Sequence, residues 1–223
     1  MLKFIFSIGF AWIIGTGFAQ KVPKKLLDSL QRKPRVESRI RLGFDLSKTI
    51  LSLTQSRFRG GEVCIDYNRD RILFEAHVGF AEHGRSLSTY TPISKGVYYS
   101  AGVGKNVFHE SDNILLGGLR IAGSNFNYRA TNVQITNPYS EFPLNGQVPE
   151  SQCSAIWAEA ICGMRAKVVW WIQMGFEIRV KALLQSKTDG FTPYIVPGYG
   201  YYSNKASVGF NYFVYINLPT QKK

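Results

Sequence analysis

His77 and Glu75 stand two residues apart, a spacing that puts both on one face of an extended strand, where imidazole and carboxylate could act as an acid–base pair. His109-Glu110-Ser111 brings a base, an acid and a hydroxyl together in sequence. Consecutive residues on a turn do not reach triad geometry, in which the three groups must converge head to tail. His83 with Ser86 or Ser88 supplies the imidazole and hydroxyl that a lipid-modifying enzyme would need, given a converging carboxylate. Glu62, Asp66 and Asp70 could approach a calcium ion, but their spacing is not that of a calcium loop. Gly102-x-Gly104 and Gly117-Gly118 fall in strand patterns, where glycine eases packing or bends, and do not read as phosphate loops. The cysteines are odd in number: Cys64 and Cys162 in strands and Cys153 in an expected loop, with neither disulfide-framework nor metal-site spacing. The reading is therefore no catalytic residue, no metal and no cofactor, with the acids and bases engaged with one another.

The elements that must position these groups are strands. Ile172 to Lys181 reads I-Q-M-G-F-E-I-R-V-K, with Ile172, Met174, Phe176, Ile178 and Val180 on one face and Gln173, Glu177, Arg179 and Lys181 on the other. A period of two over ten residues is a strand. The pattern recurs over 39–47, 61–67, 72–80, 97–105, 115–123, 156–168 and 205–216, which gives eight strands. A loop is expected from the end of strand one through Arg57, and the longest irregular segment over 124–153, where Asn, Pro and Tyr cluster. Long links are expected after strands one, three, five and seven, and shorter ones after two, four and six. The fold class is all-β: a single antiparallel up-and-down transmembrane β-barrel of eight strands.

The chain opens with Lys3 and an apolar run from Phe4 to Gly15 that ends Gly17-Phe18-Ala19, the form of a secretory signal peptide over residues 1–19. Residues 20–38 read as a basic periplasmic arm, 39–218 as the barrel and 219–223 as a C-terminal tail. Formal net charge is +12. An exported protein rarely meets nucleic acid, so anionic lipid headgroups or the basic arm account better for that balance. No stretch beyond residue 20 reads as a transmembrane helix, so membrane insertion would be through β-structure.

Alternation alone does not say which face meets water. A soluble lipocalin-like barrel would bury the apolar face; an outer-membrane barrel turns it to lipid. Apolar faces free of charge, together with mixed charges on the other face, favour the second arrangement. The expected interior network comprises Asp45, Glu62, Asp66, Glu75, Glu159 and Glu177 with Arg39, Arg41, Arg120, Arg165, Lys167, Arg179, Lys181 and Lys205, and with His77 bonded among them. Side chains fill an eight-stranded interior, so these charges plug it. Tyr98, Tyr99, Trp170, Trp171, Tyr201, Tyr202 and Tyr215 gather near strand ends, as interfacial girdles do. Phe176→Arg is expected to impair insertion and Gln173→Arg to be milder.

Arg41-Leu42-Gly43-Phe44-Asp45-Leu46-Ser47-Lys48, Trp157-Ala158-Glu159, Tyr194-Ile195-Val196-Pro197-Gly198 and Gly209-Phe210-Asn211-Tyr212 resemble the domain of unknown function 6048 family. The resemblance covers about 39–218, and Thr49 stands where that family usually has proline. It implies an outer-membrane β-barrel of Bacteroidetes-type bacteria and supplies no catalytic residues.

The function expected is that of a non-enzymatic structural or accessory subunit in the outer membrane of a Gram-negative bacterium. It would contact outer-membrane lipid and other envelope proteins through its loops or basic arm. A lipid A acylase or deacylase, and a soluble lipocalin-like ligand-binding barrel, are the alternatives.

Overall fold

Strict alternation forces these segments to be strands, and strands that alternate over their whole length can share one polar and one apolar side. The computed structural model describes residues 39–69, 71–108, 113–135, 144–188 and 192–218, within the compact unit Val36–Lys223. The expected signal peptide, basic arm and C-terminal tail, together with Asp70 and His109-Glu110-Ser111, lie outside the described residues.

In chain order the elements are β1 (Arg39–Asp45), α1 (Leu46–Thr54), β2 (Phe58–Arg69), β3 (Ile72–Gly84), β4 (Thr91–Asn106), β5 (Ile114–Ile135), β6 (Leu144–Val169) and β7 (Ile172–Lys187). Two short strands follow, β8 (Ile195–Val196) and β9 (Gly200–Tyr201), and then β10 (Ala206–Asn217). Strands β1 to β7 and β10 form one antiparallel up-and-down sheet, and β10 pairs back onto β1, so the sheet closes in a ring. Closure leaves no free edge over the paired length. β8 and β9 pair only with each other.

Two expectations fail. Residues 124–135 and 144–153 are not irregular: β5 continues to Ile135 and β6 begins at Leu144. The alternation persists there, with Phe126, Tyr128, Ala130, Cys153 and Ala155 buried, while outward Asn125 and Asn127 resemble turn formers. Cys153 is accordingly in a strand, and no disulfide joins the three cysteines. Extended strands also shorten the link after β3 to 85–90, below the 107–113 link after β4.

The second failure is α1, where a loop was expected. Its start is fixed by Asp45, whose carboxylate accepts from Ser47 N at 2.9 Å and Lys48 N at 3.3 Å, satisfying amides that the first helical turn leaves without partners. Thr49 Oγ1 donates back to Asp45 O at 2.9 Å. Asp45 also accepts from Asn211 Nδ2 at 2.5 Å, so it ties the helix to β10. Asp45→Ala is expected to lower stability by about 1–2 kcal/mol through the lost cap alone. Limited proteolysis should then open the chain near α1 first.

Across the ring's inner wall, glycine sits opposite the bulkiest side chains. Gly43 faces Tyr215, Gly79 faces Tyr98, Gly102 faces Arg120 and Gly175 faces Arg165. A Cβ at Gly79 would collide with the Tyr98 ring, and one at Gly102 would stand 2.6 Å from Arg120 Cγ. The missing side chains are the space the large ones occupy.

Candidate functional site

Six carboxylates and five cations are buried inside the ring: Asp45, Glu62, Asp66, Glu75, Glu159 and Glu177 with Arg41, Arg120, Arg165, Arg179 and Lys181. Bonds among eight of them form one continuous chain. Arg41 Nε meets Asp66 at 2.7 Å, and Asp66 also accepts from Arg165 Nη1 at 2.6 Å. Arg165 bonds Glu75, and Glu75 accepts from Arg120 Nη2 at 2.5 Å. Arg120 forks onto Glu177 at 2.6 and 2.8 Å, and Arg179 bridges Glu177 at 2.6 Å to Glu62 at 2.7 Å. Fork geometry suits guanidinium–carboxylate pairs, and six different strands contribute to the chain.

The sixth buried acid finds its balance in Lys48, which sequence reasoning missed. From α1 its ammonium reaches inward to Glu62, to Tyr98 Oη at 2.7 Å and to Asp45 at 3.4 Å. With Lys48 counted, six acids face six bases among the described residues. A net charge left in a closed interior would be costly, and this arrangement leaves none. The missed signal was Asp45-x-x-Lys48: an N-cap aspartate with lysine one helical turn on.

Other expected members lie elsewhere. Arg39 is half-buried at the start of β1, while Lys167 and Lys205 are exposed, beyond the lengths over which their strands face a filled interior. His77 is inside as expected, but its partner is Glu62 at 2.9 Å across the sheet and not Glu75. Glu75 is committed to Arg120 and Arg165.

Apolar clusters close both ends of the charged layer. Leu73, Ile114, Leu116 and Ile161 pack at the end bearing the 170–171 turn. At the other end Tyr98, Phe126, Trp157, Val196 and Tyr199 belong to a larger cluster. The β8–β9 turn folds into this mouth: Val196 and Tyr199 are buried, and the Tyr199 ring lies 5.7 Å from that of Trp157. Burial pushes the Tyr199 phenol above its ordinary pKa, and it donates to Asn204 O at 2.6 Å. Lys181 Nζ donates to Gly198 O at 2.5 Å, which pins the turn to the network below. Gly198 has φ +80° and abuts Tyr98, so both backbone and space demand glycine. Gly198→Ala is expected to cost about 1–3 kcal/mol and to raise hydrogen exchange in residues 194–202 ahead of the strands.

The aromatic expectation divides. Tyr99, Trp170, Trp171 and Tyr201 are exposed, and Tyr202 is half-buried with its hydroxyl 2.8 Å from that of Ser186. Tyr98 and Tyr215 are not girdle residues. Both point inward, Tyr98 onto Glu62 at 2.9 Å and Tyr215 beneath the Arg165 guanidinium at 4.1 Å. Their parity in the strands, shared with Ser100 and Phe213, decided their direction over their closeness to strand ends.

A seam interrupts the ring. β1 ends at Asp45 opposite Phe213, while β10 continues to Ala206 paired only with β7. β2 likewise continues from Val63 to Phe58 paired only with β3. Helix α1 lies against both of these strands, and Ser47 Oγ accepts from Tyr212 N at 3.4 Å.

A family model described as Domain of unknown function (DUF6048) matches residues 1–223, the whole chain. The chain belongs to this family. No curated protein and no solved structure matches it.

Within this DUF6048 chain His83 is not brought together with Ser86 or Ser88. His83 packs its ring 4.7 Å from that of Phe58, whereas Ser86 and Ser88 are exposed in the following loop. Among the described residues no hydrogen bond joins the three, and no group of three or more His, Cys, Asp or Glu could hold a metal. Glu62 and Asp66 are held by arginines.

Proposed function

We propose that this DUF6048 protein is an outer-membrane β-barrel with a sealed interior, acting without catalysis as a structural or accessory subunit of an envelope protein assembly. One observation carries the membrane reading. Outward-facing residues between two charged rows are uncharged: Arg59, Glu82 and Lys95 stand in register at one level, and Lys105 and Arg69 flank Ile72 at the other. Between them β3 and β4 present exposed Phe74, Val78, Phe80, Val97, Tyr99 and Val103. Lys95 and Lys105 are ten residues apart, or roughly 33 Å along a strand at ~3.3 Å per residue. Tilted as barrel strands are, that is roughly 25 Å, the height of an outer-membrane barrel's apolar band. Among the described residues no helix is long and apolar enough to cross a membrane.

The filled interior supports the remainder of the reading. A continuous ion-pair network between two apolar clusters supports an interior filled by side chains and not one built for conduction or for a lipocalin-type ligand. That turns attention to the loops and the 20–38 arm as contact surfaces for other envelope proteins. The purified full chain should float with phosphatidylcholine vesicles, show no steady conductance in planar bilayers, and leave the envelope in mild detergent with a stoichiometric protein partner. Stepwise conductance would overturn the sealed interior. Recovery from the soluble fraction would overturn the membrane reading. A lipid A change that follows deletion and is reproduced by His83→Ala would replace the accessory role with an enzymatic one.

A further inference from the structure

Just beyond the apolar band, on the side of α1 and the β8–β9 turn, three concavities on the outside of the ring share residues and form one groove. The first, about 470 Å³, includes Arg57, Arg59, Glu82 and Ile93. The second, about 190 Å³, shares Glu82 and Ile93 and adds Lys95, Asn127, Arg129 and Glu150. The third, about 730 Å³, shares Lys95 and Asn127 and runs on to Lys187. Strand pairing makes the continuity physical: Arg59, Glu82, Lys95, Asn127 and Gln152 are successive cross-strand partners.

Five cations line this groove against two carboxylates. Glu150 is engaged by Asn127 Nδ2 at 2.5 Å, and Glu82 lies 3.8 Å from Lys95. No ion pair among the described residues includes Arg57, Arg59, Arg129 or Lys187, and all four are exposed. The groove therefore offers uncompensated positive charge along its length. Its floor is continuous with apolar wall: Val97 lines it, and Phe80 and Ile156 are the next outward residues on β3 and β6.

We propose that this groove binds the phosphorylated headgroups of anionic membrane lipids, whose acyl chains lie along the apolar wall beneath. An amphiphile matches both halves of the surface at once: phosphate oxygens take donors from arginine and lysine, and the chains cover Val97, Phe80 and Ile156. A free phosphate or a nucleic acid would use the cations and leave the wall bare. The inference rests on the membrane reading, and it names the lipid chemistry that reading did not specify.

The test uses the full chain in nanodiscs of phosphatidylcholine doped with one probe lipid: bis-phosphorylated lipid A, phosphatidylglycerol, or more phosphatidylcholine. Native mass spectrometry after release counts the lipids retained. Retention of the phosphate-rich probe over phosphatidylcholine is expected. Lys95→Gln/Arg129→Gln/Lys187→Gln should lower that retention roughly tenfold or more, since each surface cation contributes to anionic-lipid affinity. Added salt should weaken retention in the same direction. The substitutions are on exposed side chains, and flotation with phosphatidylcholine vesicles reports whether the variant still inserts. Equal retention of all probes, or retention unchanged in a variant that floats, would overturn the groove and leave the membrane reading intact. Failure of the wild-type chain to float would overturn the membrane reading itself.

Discussion

Arg120→Met is expected to destabilise the protein by about 3–5 kcal/mol, the cost of removing one partner from a buried ion pair. Methionine keeps most of the volume, so the loss is electrostatic. Arg120 donates four bonds to Glu75 and Glu177. Glu75 keeps Arg165 and Glu177 keeps Arg179, but the interior then holds one carboxylate more than it has cations. Adding Glu177→Gln to that background restores the balance and should recover a large part of the loss. Neighbours that share a network are not additive, and the double-mutant cycle measures by how much. Urea midpoints of the folded protein in detergent micelles would provide all four values. A loss below about 1 kcal/mol for Arg120→Met would mean that water reaches these groups, and the sealed interior would fail.

Phe176→Arg is expected to cost roughly 2–4 kcal/mol in a bilayer if the proposed membrane reading holds, because its site lies on the uncharged outer face. Phe176 is 41% exposed there, with its ring stacked 6.3 Å from that of Phe210. Gln152→Arg puts the same charge on the same face at the level of Lys95 and should cost almost nothing. Gln173→Arg is not the mild control that alternation suggested: Gln173 is 1% exposed within the ring, so an arginine there is a seventh cation in a balanced interior. Unfolding midpoints in lipid vesicles separate the cases. If Phe176→Arg and Gln152→Arg were equally tolerated, the outer face would be wet and the membrane reading would fall. Equal and large losses would assign the effect to strand packing and not to lipid.

Alternation in the sequence was enough for the eight strands, their polar and apolar faces, and eleven of the twelve charges that meet in the interior, because the pleat sends successive side chains to opposite faces whatever surrounds them. His77 was placed inside on the same ground. The family was legible in Arg41 to Lys48 and in the Tyr194 to Gly198 turn. Cross-strand register was not legible, and register decides partners. It set His77 on Glu62 and not Glu75, brought Asp66 to both Arg41 and Arg165, and put glycine opposite Tyr98, Arg120, Arg165 and Tyr215. The twelfth charge, Lys48, depended on a nine-residue helix whose cap is local but whose inward lysine is explained only by a carboxylate on β2. The length of β5 and β6 was hidden because, once strands pass the apolar band, their outward residues turn polar and the pattern reads as loop. Periodicity belongs to the single strand; pairing, charge balance and the groove across six strands belong to the closed sheet, since each needs groups far apart in sequence to meet.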